Sequence, residues 1–200
     1  MLLAKKYKNI SDEELMLLIG YNNTKAFEEL YERYSNKIHY YFFRMLGSDN
    51  EKANDFTQDI FLKVIEKNSS YKKHLKFSTW LYTLATNMCK NEYKHSEVKL
   101  RHDEEYKNTM DTIYLSKFDT HYDNKQFKIN LENELNALEA NHRITFVLRF
   151  HEELSIKEIA EIMECSEGTV KSRIFYTLQK LSQKLKIFNP IIENDLWKSN

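Results

Sequence analysis

Apolar residues recur every three or four positions along most of this chain, and almost nothing in it can interrupt a helix. From Ala26 to Leu46 the series Phe27, Leu30, Tyr31, Tyr34, Ile38, Tyr41, Phe42 and Met45 keeps that spacing, which puts all of them on one helical face. The 200 residues include three glycines and one proline, and runs of alternating polarity are scarce, so the backbone has few places to turn sharply or to pair as a sheet. The chain is expected to be all-α.

Shorter signals divide the helices. Ser11 with Glu14 three residues on is a capping box opening a helix over Asp12 to Ile19, with Gly20 as its stop. Gly47 ends the long aromatic helix. A third helix, from about Glu51 to Lys67, buries Ala53, Phe56, Ile60 and Val64 and presents Asp55, Gln58, Asp59 and Leu62 elsewhere. A fourth starts near Ser78 with a buried stripe of Trp80, Leu81, Leu84, Ala85 and Met88. Its opposite side carries Thr79, Thr83, Thr86, Asn87, Lys90, Asn91 and Lys94. From about His95 to Lys125 the apolar period fades into a polar stretch containing Tyr106, Tyr114 and Tyr122, which reads as a linker between two domains.

The chain carries no net charge, which speaks against holding nucleic acid by bulk electrostatics. Charge is instead local. Between Tyr71 and Arg101 seven basic residues stand against two acidic ones, and between Ser166 and Lys186 five stand against one. Cys89 and Cys165 are single and far apart, which suggests core thiols and neither a disulfide framework nor a metal site. The opening MLLAKKYKNISDEE has too short an apolar stretch for a signal peptide and no segment approaches a membrane span, so a cytoplasmic protein is expected.

The string SIKEIAEIMECSEGTVKSRIFYTLQKL is the most specific in the chain. Ser155 and Glu158 form a second capping box, and Ile156, Ile159, Ala160 and Met163 line one face of a very short helix. Ser166 then caps another helix three residues after Met163, with Val170, Ile174, Leu178, Leu181 and Leu185 expected on its buried side. Helices joined so tightly cross steeply, which is the helix-turn-helix arrangement. Glu167, Gly168, Thr169, Lys171, Ser172 and Arg173 fall in the first two turns of the second helix, the part that enters a DNA major groove in this motif.

AFEELYERYSNKI, DFTQDIFLKVI, FSTWLYTLATNMCKNEY and EIAEIM with SEGTVKSRI resemble, in order, successive parts of regions two and four of extracytoplasmic-function sigma factors, over roughly Asp12 to Lys186. The resemblance implies a region-two helical bundle over residues 1–95, a flexible linker over 96–126, a region-four helix-turn-helix over 127–187 and a C-terminal tail over 188–200. It implies a transcription initiation factor that binds RNA polymerase core and directs it to promoters. Asp55, Gln58, Asp59 and Leu62 would grip the clamp coiled coil of the largest core subunit, and region four would meet the flap. Lys76, Thr79, Tyr82, Thr86, Asn87, Lys90, Asn91 and Lys94 would melt and hold the minus-ten element, a task that suits amides, stacking rings and lysines. Lys72, Lys73 and His74 would border that site. Ser166, Glu167, Gly168, Thr169, Lys171, Ser172 and Arg173 would dock on the minus-thirty-five duplex. An anti-sigma protein or a second DNA-bound recruiting protein is the further partner the resemblance suggests.

Two features depart from the family pattern. Glu164 stands in the helix-turn-helix turn where a small residue or glycine is usual, so a left-handed backbone there would be strained by about 1 kcal/mol. Phe175, Tyr176, Thr177 and Leu178 follow Arg173 where more basic residues are usual. The competing reading is a stand-alone helix-turn-helix regulator that dimerises through its first domain, against which Asp55 to Leu62 argues. An enzyme is not expected: there is no glycine-rich phosphate loop, no metal-spaced histidine pair and no nucleophile with a base nearby, and no cofactor is expected either.

Overall fold

The computed structural model describes residues 7–72, 75–103 and 124–185. Lys73, His74, the linker tyrosines Tyr106, Tyr114 and Tyr122, and the tail 188–200 lie outside them. The described residues are helical, with no strand among them: α1 (Asp12–Gly20), α2 (Thr24–Met45), α3 (Asn50–Glu66), a single 3-10 turn (Asn68–Ser70), α4 (Phe77–Asp103), α5 (Asn124–Asn136), α6 (Ala140–Phe150), α7 (Ile156–Met163) and α8 (Glu167–Lys184). Helix α4 runs on to Asp103, past the boundary placed at 95.

Most starts are set by polar side chains that satisfy amide protons left open in a first turn. Ser11 and Glu14 form the expected reciprocal box at α1, Asn23 accepts from the Ala26 amide at α2, and Asp49 accepts from the Lys52 amide at α3. Helix α4 is capped from elsewhere: the Glu13 carboxylate on α1 accepts from the Phe77 amide at 2.9 Å. Asp12, the residue before Glu13, takes the Arg33 guanidinium at 2.6 Å and the Tyr34 hydroxyl. Helix α1 is therefore pinned to both α2 and α4 by two adjacent acids. Gly47, at a φ of +76°, closes α2 in a conformation that a side chain would strain.

The aromatic face of α2 lies at the centre of the first domain. Tyr41 and Phe42 are fully buried, Phe42 meets Phe56 of α3 edge-on at 5.4 Å, and Tyr41 meets Tyr82 of α4 at 5.5 Å. Trp80 is half-buried between Tyr71 and Phe77, as its register implied. Thr86 is a correction. The sequence put it on the polar side of α4, yet it is fully buried and its hydroxyl pairs with that of Tyr41 at 2.9 Å.

The second domain packs α6, α7 and α8 around Ile144, Val147, Leu148, Ile159, Met163 and Val170, with α5 held to it through Leu135, Phe146 and Leu181. On α8 the buried line runs through Val170, Thr177 and Leu181, while Leu178 is 39% exposed. Leu178 was expected inside. The spacing from 170 to 181 admits either 177 or 178, and the neighbouring helices select the threonine.

The turn between α7 and α8 is the strained one anticipated. Glu164 has φ 51° and ψ 46°, and its amide and that of Cys165 close back onto α7 carbonyls. Left-handed backbone costs a residue with a Cβ roughly 1–2 kcal/mol, part of which glycine returns as unfolded-chain entropy. Glu164→Gly is therefore expected to raise stability by up to ~1 kcal/mol, visible as a higher urea midpoint at unchanged slope.

Candidate polymerase and nucleic-acid interfaces

Helix α3 turns one face inward through Ala53, Thr57, Ile60, Phe61 and Val64. Asp55, Gln58, Asp59 and Leu62 are all exposed and recur at the spacing that lines up one face. Among the described residues, no ion pair or side-chain hydrogen bond takes up Asp55, Gln58 or Asp59. Leu62 is 57% exposed, and Ile65, three residues further on, is 48% exposed and lengthens the same apolar end. Ile65 was missed by sequence reasoning, although its position in the three-and-four spacing signals it.

Helix α4 divides the eight expected minus-ten residues into two groups. Asn87, Asn91 and Lys94 are exposed, and half-buried Lys90 shares their face, so two amides and two ammonium groups stand in one open row. Thr79, Tyr82 and Thr86 are buried, at 5%, 3% and 0% exposure. Thr86 is part of the core. The Tyr82 hydroxyl meets Glu152 of the second domain, and Lys76 forms an ion pair with Glu158 of α7 at 2.8 Å.

That side of α4 is where the two domains meet. The apolar core is continuous between them, and polar contacts edge it: the Tyr82 hydroxyl donates to the Glu152 carboxylate, Arg44 of α2 lies 3.9 Å from Glu152, and the Arg143 guanidinium donates to the Arg44 carbonyl. Burial raises the Glu152 carboxyl above its ordinary range, against the stabilising hydrogen bond from Tyr82. The same burial, with Glu152 adjacent, pushes the Tyr82 hydroxyl well up.

Glu158 shifts the other way, down to about 2, because Lys76 and then the Ser155 hydroxyl and amide hydrogen-bond its ionised form. A carboxylate depressed on folding adds stability that is complete above its unfolded value of about 4.3 and disappears as pH falls towards 2. Replacing Glu158 with glutamine keeps the cap but removes the titration. The stability gap between Glu158→Gln and wild type is thus expected at pH 6 and expected to close between about pH 4 and pH 2, read from urea midpoints across that range.

The α8 start is ordered by its own side chains. Ser166 accepts from the Thr169 amide at 3.1 Å, the two hydroxyls lie 2.9 Å apart, and Ser172 donates to the Gly168 carbonyl at 2.9 Å. Glu167, Gly168, Lys171 and Ser172 are exposed, and Thr169 and Arg173 are half-buried. Arg173 reaches back to the Cys165 sulfur at 3.7 Å. The open amide end of α8 and two cations thus form a surface suited to phosphate contact. Phe175 and Tyr176, 44% and 59% exposed, follow it. Among the described residues, no group of acids, histidines and cysteines is placed to hold a metal, and no helix is long and apolar enough to cross a membrane.

An all-α chain in which one domain presents an acidic-amide helix beside an amide-lysine helix, and the other a helix-turn-helix, has the parts of a transcription initiation factor. Sigma-70 region 2 matches residues 30–97 and Sigma-70, region 4 matches residues 135–183. RNA polymerase sigma factor YlaC of Bacillus subtilis is 33% identical over 162 residues, covering 80% of this chain and 90% of that protein. ECF RNA polymerase sigma factor SigW of the same organism is 29% identical over 80% of this chain and 89% of its own length. The ECF RNA polymerase sigma-E factor of Haemophilus influenzae is 28% identical over 90% and 97%. The chain belongs to the extracytoplasmic-function sigma factors of the sigma-70 family, transcription initiation factors that direct RNA polymerase to promoters. The fold agrees with solved structures: a sigma factor RpoE in complex with the anti-sigma factor NepR from Bartonella quintana (TM-score 0.64, 22% identity, 81% of this chain and 98% of that one) and CnrH in complex with the cytosolic domain of CnrY (TM-score 0.64, 20% identity, 88% and 97%).

Proposed function

We propose that this sigma factor divides its work among three surfaces. Asp55, Gln58, Asp59 and Leu62, extended by Ile65, dock on the clamp coiled coil of core polymerase. Asn87, Lys90, Asn91 and Lys94 hold the melted minus-ten strand, with Lys76, Thr79 and Tyr82 near the start of the same helix completing the site. Ser166 to Arg173 dock on the minus-thirty-five duplex, with the rest of the second domain facing the flap. The domain limits proposed are those at 95, 126 and 187. The protein acts as a non-enzymatic cytoplasmic subunit, and an anti-sigma protein is its proposed inhibitory partner.

The observation that carries this reading is the open row of Asn87, Lys90, Asn91 and Lys94 beside an open acidic-amide face on α3. Amides and ammonium groups bind bases and phosphates of a single strand, and carboxylates would repel them, so the two surfaces suit different partners. The test is in vitro transcription with cognate core polymerase, sequencing transcript starts with and without the protein. New starts sharing one two-part motif are expected. In Asn87→Ala/Asn91→Ala those starts are expected to be lost while core binding stays. No new starts and no core binding would leave the stand-alone regulator as the better account.

A further inference from the structure

We propose that Glu13 of α1 is a positioning residue for the minus-ten strand: by holding the Phe77 amide it fixes where α4 begins, and with it the placement of Lys76, Thr79 and Tyr82. The inference rests on the minus-ten reading of α4, and beyond it assigns a role to a side chain on another helix, 64 positions away in sequence.

The residue at the capping position of α4 is Lys76, whose ammonium cannot accept a hydrogen bond from an open amide. Glu13 supplies the acceptor instead, at 2.9 Å, and a carboxylate there suits the positive end of the helix dipole. Glu13 is itself held, because Asp12 beside it takes the Arg33 guanidinium at 2.6 Å and the Tyr34 hydroxyl. The Tyr34 ring meets Phe77 edge-on at 5.2 Å, and Phe77 is fully buried against Tyr71 and Trp80. The Tyr71 hydroxyl donates to the Leu75 carbonyl and ties down the approach to the helix. Packing between rings has little directionality and fixes how deep the first turn sits, whereas one amide aimed at one carboxylate admits a single register. The core-docking face lies on α3, which starts from its own cap, Asp49, so loss of Glu13 separates strand holding from core docking.

A strand that needs the ordered first turn of α4 has an apparent affinity reduced by the fraction of molecules in which that turn is ordered. The experiment is anisotropy of a fluorescein-labelled, random-sequence DNA single strand with the full chain, well below its thermal midpoint, with core polymerase binding measured beside it. Circular dichroism shows that each variant is folded. Glu13→Ala is expected to bind the strand roughly five-fold more weakly, the factor that an ordinary cap is worth, and to bind core polymerase as wild type does. Glu13→Gln keeps an oxygen for the Phe77 amide and is expected to stay within about two-fold of wild type. Asn23→Ala removes the α2 cap, a stability loss of the same kind in the same domain, and is expected to leave strand affinity unchanged. Equal strand loss in Asn23→Ala and Glu13→Ala would reduce Glu13 to a structural role and overturn the inference. Lys90→Ala/Lys94→Ala tests the reading beneath it. Intact strand binding by that variant would remove the minus-ten surface itself, whereas weakened binding there beside full binding by Glu13→Ala would overturn the positioning alone.

Discussion

Loss of core polymerase binding by about two orders of magnitude, with the fold intact, is the expected result of Asp55→Ala/Gln58→Ala/Leu62→Ala. All three side chains are exposed and outside the packed face of α3, so their removal costs the protein little by itself. Surface changes of this kind ordinarily shift stability by no more than ~0.5 kcal/mol. At an interface, a few residues carry most of the binding energy, and truncating three central ones at ~1 kcal/mol or more each gives a hundred-fold effect. The measurement is the dissociation constant of labelled protein from core polymerase, beside its thermal midpoint. Full binding by the folded triple variant would remove α3 as the docking helix and put the polymerase contact elsewhere on the protein.

The second large effect is on stability. Phe42 is fully buried and packs edge-on against Phe56 and Tyr41, so Phe42→Ala opens a cavity where α2, α3 and α4 converge. Such truncations cost about 3–5 kcal/mol, a large share of the stability of an ordinary domain. Urea unfolding should show the loss as a much lower midpoint. Because the core is continuous into the second domain, the packing between the two domains is expected to weaken along with it. A change below ~1 kcal/mol would mean that the aromatic face of α2 is not the organising core.

The exposed face of α3 was legible because Asp55, Gln58, Asp59 and Leu62 follow a helical spacing that needs only the helix to be interpreted. The two capping boxes and the left-handed Glu164 were legible for the same reason: a cap and a three-residue turn are set by their immediate neighbours. The polar side of α4 was only half legible. Thr79, Tyr82 and Thr86 look in sequence like the companions of Asn87 and Asn91, since a hydroxyl can face water or pair with another buried hydroxyl at little difference in cost.

By itself, then, the sequence determined the helices, their order, the helix-turn-helix and the exposed faces of α3 and of the α8 start, all of which follow from spacing and short-range hydrogen bonding. Tertiary structure alone decided that Thr86 belongs to Tyr41, that Thr177 rather than Leu178 points inward, and that Glu152 and Glu158 meet Tyr82 and Lys76. Each of those outcomes depends on what another helix places opposite the residue, and periodicity within one helix carries no information about its neighbour.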